Sequence, residues 1–348
     1  VLFAGHHIIC DGWSWNIILK EIGFLYSAMV QRRSYELSSA ASFRNYVENE
    51  IQSQSSDKAE QAYAYWMNEF KELPAPLALP IDRARPGVKT YNGATVIHIF
   101  NSTFYRAVKE AAMRQKASLF SMTFAAFNIL LARLCNQSDM VASVPTAGQL
   151  IAGIETLVGH CVNLLPVRSR VDPAMSFQEF LVATTKKILE AYDHQDCTLG
   201  GIVKRLQFPR DPSRLPLVEV NFNLDRDGAE MKFQGLRATA EQTPKQAVNF
   251  DLFFNLNEVD GQLRVDLDYN SDLFDETTIQ RWVLSYARIL DGIVETPEQP
   301  IGQLPLLSEV ERRQLLVEWN KTDQLRDPNQ NVLQLLEEQV VERPAAVA

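Results

Sequence analysis

The residues best able to do chemistry stand near the start of the chain, in His6-His7-Ile8-Ile9-Cys10-Asp11-Gly12. An imidazole changes charge near neutral pH, so one held on a fixed loop can accept a proton from an amine or orient it. Val1, Leu2, Phe3, Ile8 and Ile9 are apolar and β-prone, which predicts a buried strand over residues 1–10 entering a loop. Side chains alternate across a strand, so His6 and His7 are expected to face opposite ways, and only one can look into a given cavity. Asp11 next to Gly12 predicts a tight turn, and Ser14 can cap the helix that follows. Three readings stand open on these residues alone. They are a structural histidine pair, a metal site from His6, His7 and Asp11, and a catalytic histidine whose loop a carboxylate fixes. Against the metal reading, adjacent histidines diverge and no further ligand cluster accompanies them.

The elements that must hold this loop follow from periodicity. Over residues 14–33, Ile17, Ile18, Glu21, Ile22, Leu25, Tyr26 and Met29 recur at three and four, a helical pattern. A short helix is expected over 43–51, and another over 57–73 with Ala62, Tyr65, Trp66 and Phe70 on one face. The proline-rich stretch 73–87 reads as extended, a crossing between lobes. Strands at 95–100, 140–145, 162–171, 217–224, 250–257 and 263–269 then alternate with helices near 103–115, 118–135, 176–193 and 275–294. That alternation predicts an α/β layered lobe. Pro166 makes its strand an edge or a bulge. Pro297, Pro300 and Pro305 mark a linker, after which Ser308 and Glu311 fit a capping box.

Composition narrows the function. A chain of 348 residues has room for two compact domains. Hydrophobic content of 46% and charged content of 22% are ordinary for a soluble globular protein. The net charge of −9 disfavours a nucleic-acid partner, since phosphate binding rests on Lys and Arg. Neither a membrane-spanning apolar run nor a signal peptide is visible, so no membrane partner and a cytoplasmic location are expected. Cys10, Cys135, Cys161 and Cys197 are scattered without a CxxC pair, which predicts buried free thiols in place of a zinc ribbon or a disulfide framework. The chain lacks an initiator Met and reads as a fragment of something longer.

With these elements in view, HHIICDGWS resembles the HHxxxDG signature of condensation domains of nonribosomal peptide synthetases. VGHCVNLLPVR (158–168) resembles the family's VGxFVNxxxxR element and carries Asn163 and Arg168. DHQDCTL (193–199) resembles its HQDxPF element, with Cys197 and Leu199 departing from it, and RDPSRLPLVEVNFNLD (210–225) resembles RDxSRxPLFxVxF, with Val218 in place of Phe. FRNYVENE keeps Tyr46 of YxDYAxW but loses its Asp and Trp, so Tyr46 carries no functional weight. The elements fall in the family's order across residues 6–225. LLSEVERRQLLVEWNKT (306–322) resembles the linker to an adenylation domain, and NVLQLLEEQVVERPAAVA (331–348) resembles that domain's first helix.

The resemblance implies a chloramphenicol-acetyltransferase-like two-lobe α/β sandwich with its N-terminal lobe truncated. Residues 1–91 would be the remainder of that lobe and the lobe crossing, 92–296 the C-terminal lobe, 297–330 a linker and 331–348 the start of an adenylation domain. The family's catalytic histidine is the second of the signature, which carries to His7. His6 belongs to the motif, Asp11 takes a structural role and Gly12 the turn. An arginine of the missing early element is the expected ion-pair partner of Asp11. Asn223 and Asn163 are candidates to line the tunnel between lobes, while Arg168 and Arg214 read as structural or carrier-facing.

The implied reaction, in the full-length protein, is acyl transfer. An amide bond forms between a carrier-bound acyl or peptidyl thioester and a carrier-bound aminoacyl amine. The substrates are tethered to 4'-phosphopantetheine on an upstream donor carrier and a downstream acceptor carrier, with an adenylation domain in cis. The chain itself is expected to bind no cofactor and no metal, and as a fragment to be inactive alone. Relatives in the superfamily offer alternatives. An epimerization domain also carries HHxxxDG, but the adenylation-like tail and Trp13 speak against it. A heterocyclization domain would replace the histidines with DxxxxD. A CoA-dependent acyltransferase shares HxxxD without the later elements, and a catalytically silent docking module usually loses the histidine pair.

Overall fold

The computed structural model describes residues 1–225, 232–238, 243–323 and 331–345. Its strands are β1 (Gly93–Phe100), β2 (Asp139–Ala147), β3 (Val162–Arg170), β4 (Val220–Asp225), β5 (Leu252–Val259) and β6 (Gln262–Asn270). They form one six-stranded sheet in the order β1-β6-β5-β4-β2-β3. β4 runs parallel to β2 and β5, and the other pairs are antiparallel. β3 lies at the edge with Pro166 opposite Ser143, where a residue without an N–H is tolerated.

The helices are α1 (Gly12–Val30), α2 (Phe43–Ser53), α3 (Asp57–Glu69), α4 (Ser102–Arg114), α5 (Leu119–Cys135), α6 (Gly148–Ile151), α7 (Phe177–Asp193), α8 (Leu199–Arg205), α9 (Glu276–Glu295), α10 (Glu309–Arg313) and α11 (Val332–Glu342). The four-residue α6 and the seven-residue α8 escape a periodicity reading because neither completes enough turns to show one. Among the described residues no single helix is long and apolar enough to cross a membrane.

The core forms where helices cover one face of the sheet. Alternation along β4 and β5 puts Phe222 and Phe254 on that face, where α5 supplies Phe124 and Phe127. Phe222 lies 5.3 Å from Phe124 and 5.1 Å from Phe127 between ring centroids. Tyr286 of α9 packs 4.7 Å from Phe254, and its hydroxyl donates to the Thr123 carbonyl at 3.0 Å. α5 is apolar nearly all round, as a helix sandwiched between a sheet and other helices must be.

The chain packs as two compact units, Val1–Leu306 and Leu307–Ala348. The second contains α10, whose capping box is formed by Ser308 and Glu311 as expected, and α11. Neither helix buries a residue.

The first ten residues differ from expectation. They form no strand, and Val1, Leu2, Phe3, Ile8 and Ile9 are exposed. A strand needs a neighbour to satisfy its backbone, and none of the six strands pairs with this segment. Local bonds replace the ladder: the Ile9 N–H donates to the His6 carbonyl at 3.0 Å, closing a turn over residues 7–9. The cap also moves. Asp11, not Ser14, is the N-cap of α1, and Gly12 is the first helical residue without a left-handed φ.

Candidate active site

Asp11 is the anchor of the histidine loop. Its side chain is 1% exposed, and both oxygens are occupied. Oδ1 accepts the Ser14 N–H at 2.8 Å, and the Ser14 hydroxyl lies 2.7 Å away. Oδ2 accepts the Gln149 side-chain amide at 2.8 Å and the Cys161 N–H at 3.0 Å. Burial pushes this carboxyl up, but the bonds from Gln149, Cys161 and Ser14 outweigh it and hold the group below the usual carboxylate range. A carboxylate so saturated has no lone pair to offer a metal or a substrate proton. It is a structural bolt.

The bolt joins the start of α1 to the connection between β2 and β3. The Ser14 hydroxyl accepts the Gly159 N–H at 3.0 Å and lies 2.9 Å from the Gly159 carbonyl. Trp13 Nε1 donates to the Glu155 carbonyl at 2.8 Å. α2 packs against the same connection through close contacts that only glycine permits. A Cβ on Gly159 would lie 2.2 Å from the Phe43 ring, and one on Gly148 would lie 2.4 Å from the Tyr46 hydroxyl. Tyr46 is buried beside Leu157 and Cys161, so it buttresses this connection.

The two histidines do part company, through a turn and not across a strand. His6 Nδ1 accepts the Ile8 N–H at 3.1 Å and belongs to the loop's own structure. His7 is exposed, and its Nδ1 meets Nδ1 of His160 at 3.1 Å. Among the described residues no group of three or more His, Cys, Asp or Glu side chains is placed to hold a metal ion.

The other motif residues hold the scaffold. Asn163 Nδ2 donates to the Cys197 carbonyl at 2.7 Å, tying β3 to the HQD segment. Within that segment the His194 ring stacks on Tyr65 at 4.0 Å, and its carbonyl accepts Trp66 Nε1 at 2.9 Å. Arg168 grips Asp139 with both arms, at 2.8 and 2.6 Å, and donates to the Glu69 and Glu72 carbonyls at the end of α3. Arg214 pairs with Glu219. The nearly fully buried Asp251 takes Arg85 at 2.6 Å and Lys89 at 2.8 Å, so buried ion pairs fasten residues 85–89 to the start of β5. Asn223 lies on the sheet face opposite Phe222, where its Nδ2 donates to Asn255 Oδ1 at 3.0 Å. All four cysteines are free and buried. Burial pushes Cys161 up to about 11 and Cys135 and Cys197 up to about 12, so none of these three supplies a thiolate near neutral pH.

Sequence reasoning missed Gln149 and His160. A search for polar residues in the segment 148–161 between β2 and β3 would have raised both, since Gln149 and His160 flank an otherwise mostly apolar stretch.

The sequence matches the family model for the condensation domain over residues 1–316. It is 31% identical over 345 residues to tyrocidine synthase 3 of Brevibacillus parabrevis, a match covering 99% of this chain and 5% of that protein. To malpinin synthetase of Mortierella alpina it is 31% identical over 350 residues, covering 100% of this chain and 4% of that one. The chain therefore spans less than a tenth of the length of either relative. Among solved structures, the X-domain in complex with OxyB from teicoplanin biosynthesis superposes with a TM-score of 0.75 at 25% identity, over 87% of this chain and 69% of that one. A holo four-domain nonribosomal peptide synthetase bound to AMP and glycine gives a TM-score of 0.80 at 20% identity, over 99% of this chain and 27% of that one, a likeness of fold. The architecture is the chloramphenicol-acetyltransferase-like α/β fold of these neighbours. With the family match running from the histidine loop through β6 and α9, this chain belongs to the condensation-domain family.

Proposed function

We propose that this chain forms an amide bond between two carrier-tethered substrates and that His7 handles the proton of the attacking amine. Family membership supports the reaction class. The observation that carries the assignment to His7 is its setting: an exposed imidazole on a bolted loop, Nδ1 engaged and Nε2 without a bond among the described residues. The amine nitrogen attacks the thioester carbonyl carbon, a C–N bond forms and the C–S bond breaks. The proton leaving the amine passes through His7 to the departing thiolate, so charge balances.

The demand on the base is modest. An α-amine with a pKa of about 7.7–8.0 is already partly neutral near pH 7.5. The thioester is an activated donor, and holding both tethered substrates in line contributes at least as much as proton transfer. In this reading 4'-phosphopantetheine arms on an upstream and a downstream carrier deliver the substrates, and an adenylation domain in cis loads the acceptor. Asn223 and its amide neighbour Asn255 are proposed to line the path of one arm. Asp11 exchanges no protons and holds the loop.

The test is single-turnover condensation in the synthetase that carries this chain. His7→Ala is expected to lower the rate by about 10²–10⁴-fold, the usual span for general-base work, while both carriers still load. A near-normal rate would sink the assignment to His7.

A further inference from the structure

The imidazoles of His7 and His160 meet Nδ1 to Nδ1 at 3.1 Å, with ring centroids 5.0 Å apart and planes at 80°. One proton lies between these nitrogens, because two N–H groups or two lone pairs would repel. Its ownership decides the chemistry. If His160 held it, neutral His7 would accept at Nδ1 and carry its own proton on Nε2, leaving no basic nitrogen for a substrate. If His7 holds it, Nε2 keeps its lone pair. His7 can then take a proton at Nε2 while still donating from Nδ1, so the bond to His160 survives the reaction.

We propose that His160 is a positioning residue that holds His7 in its Nδ1–H tautomer, which leaves Nε2 as the reactive nitrogen. This rests on His7 being the catalytic histidine. The acceptor role requires His160 to stay neutral. The titratable groups facing it are His7 and Asp11, and partial desolvation of this still largely exposed ring, together with His7, holds its imidazole below the ordinary value against the opposing pull of Asp11. Its position is fixed by the same bolt as His7: the neighbouring Cys161 N–H binds Asp11, and Gly159 binds Ser14. In serine hydrolases a carboxylate sets the tautomer of the base in the same way. A neutral imidazole stabilises the protonated base less, which suits an activated thioester donor.

Two readouts test this. The first is ¹⁵N NMR of the histidine-labelled chain, which has five imidazoles to resolve. His7 should show a protonated Nδ1 and a bare Nε2 in the neutral state, and His160→Phe should shift it toward the Nε2–H form. The second is condensation by the synthetase. General-base work spans about 10²–10⁴-fold, so His160→Phe should cost about tenfold or more, while His160→Asn, which keeps an acceptor, should retain most of the rate. A neutral His7 protonated on Nε2 in the native chain overturns the proposal. So does a His160→Phe variant with native rate while His7→Ala is dead, an outcome that leaves the catalytic reading of His7 intact. An active His7→Ala would instead remove that reading itself.

Discussion

Gln149 and Asp11 lie 138 residues apart in the chain, yet Gln149 Nε2 donates to Asp11 Oδ2 at 2.8 Å in a buried contact. The donors to this carboxylate among the described residues are all neutral. Among the described residues no Lys or Arg hydrogen-bonds Asp11. Neutral donors suffice because three N–H groups and a hydroxyl converge on two oxygens at a helix N-terminus, where a negative charge is already favoured. Gln149 Oε1, by contrast, is buried without a partner among the described residues.

Asp11→Asn should therefore destabilise the fold even without a countercharge to strand among the described residues. The new amide group faces the Cys161 N–H or the Ser14 N–H, donor against donor. Leaving one such buried group unpaired costs about 1–3 kcal/mol. Gln149→Leu should cost a similar amount, and the double variant less than the sum, because both remove one interaction. Urea unfolding of the four proteins measures this, and strict additivity would show that the contact is not a coupled one.

Acidification should weaken the fold in two stages. Asp11 has a folded pKa below its unfolded value, so its contribution is complete above the ordinary carboxylate pKa of about 3.9 and is lost as pH falls through the lower native value. His160 is also depressed, so it contributes above the ordinary imidazole value of about 6.5 and fades as pH falls below it. The exposure of His160 keeps that upper step small. Unfolding midpoints measured against pH should show it in the native chain and not in His160→Phe, and an identical profile for both would contradict it.

Gly12→Ala separates fold from approach. A Cβ at Gly12 meets nothing within 4 Å, and the residue opens α1 with an ordinary φ. Stability should change by no more than about 0.5 kcal/mol, the range of surface substitutions. A loss of condensation at unchanged melting temperature would mean that the open space beside Asp11 is used by a substrate. A loss of stability would refute the geometric argument.

Gly159→Ala should be costly for the opposite reason. Its Cβ would collide with the Phe43 ring at 2.2 Å, and such overpacking costs about 1–3 kcal/mol. Adding Phe43→Ala should recover part of the loss by making room. If the double variant melts no higher than Gly159→Ala alone, α2 does not buttress the loop.

Much of this protein was legible in its residues. α1, α3, α5, α7 and α9 each run long enough for their apolar stripes to declare them, and each strand of the sheet runs for at least six residues rich in β-prone side chains. Pro166 announced an edge or a bulge, of which the sheet shows the edge, and Ser308 with Glu311 announced a helix start, because both signals act within a few residues. The order of the motifs named the family and singled out His7 and Asp11. What the motifs could not convey is who touches whom. Residues 1–10 look like a strand by composition, but a strand exists only where another lies beside it. The partners of the site, Gln149 and His160, come from the β2–β3 connection folding back on the start of α1. Contacts across 138 and 153 residues leave no trace in local periodicity. They depend on where the sheet and helices place two loops, and only the packed chain decides that.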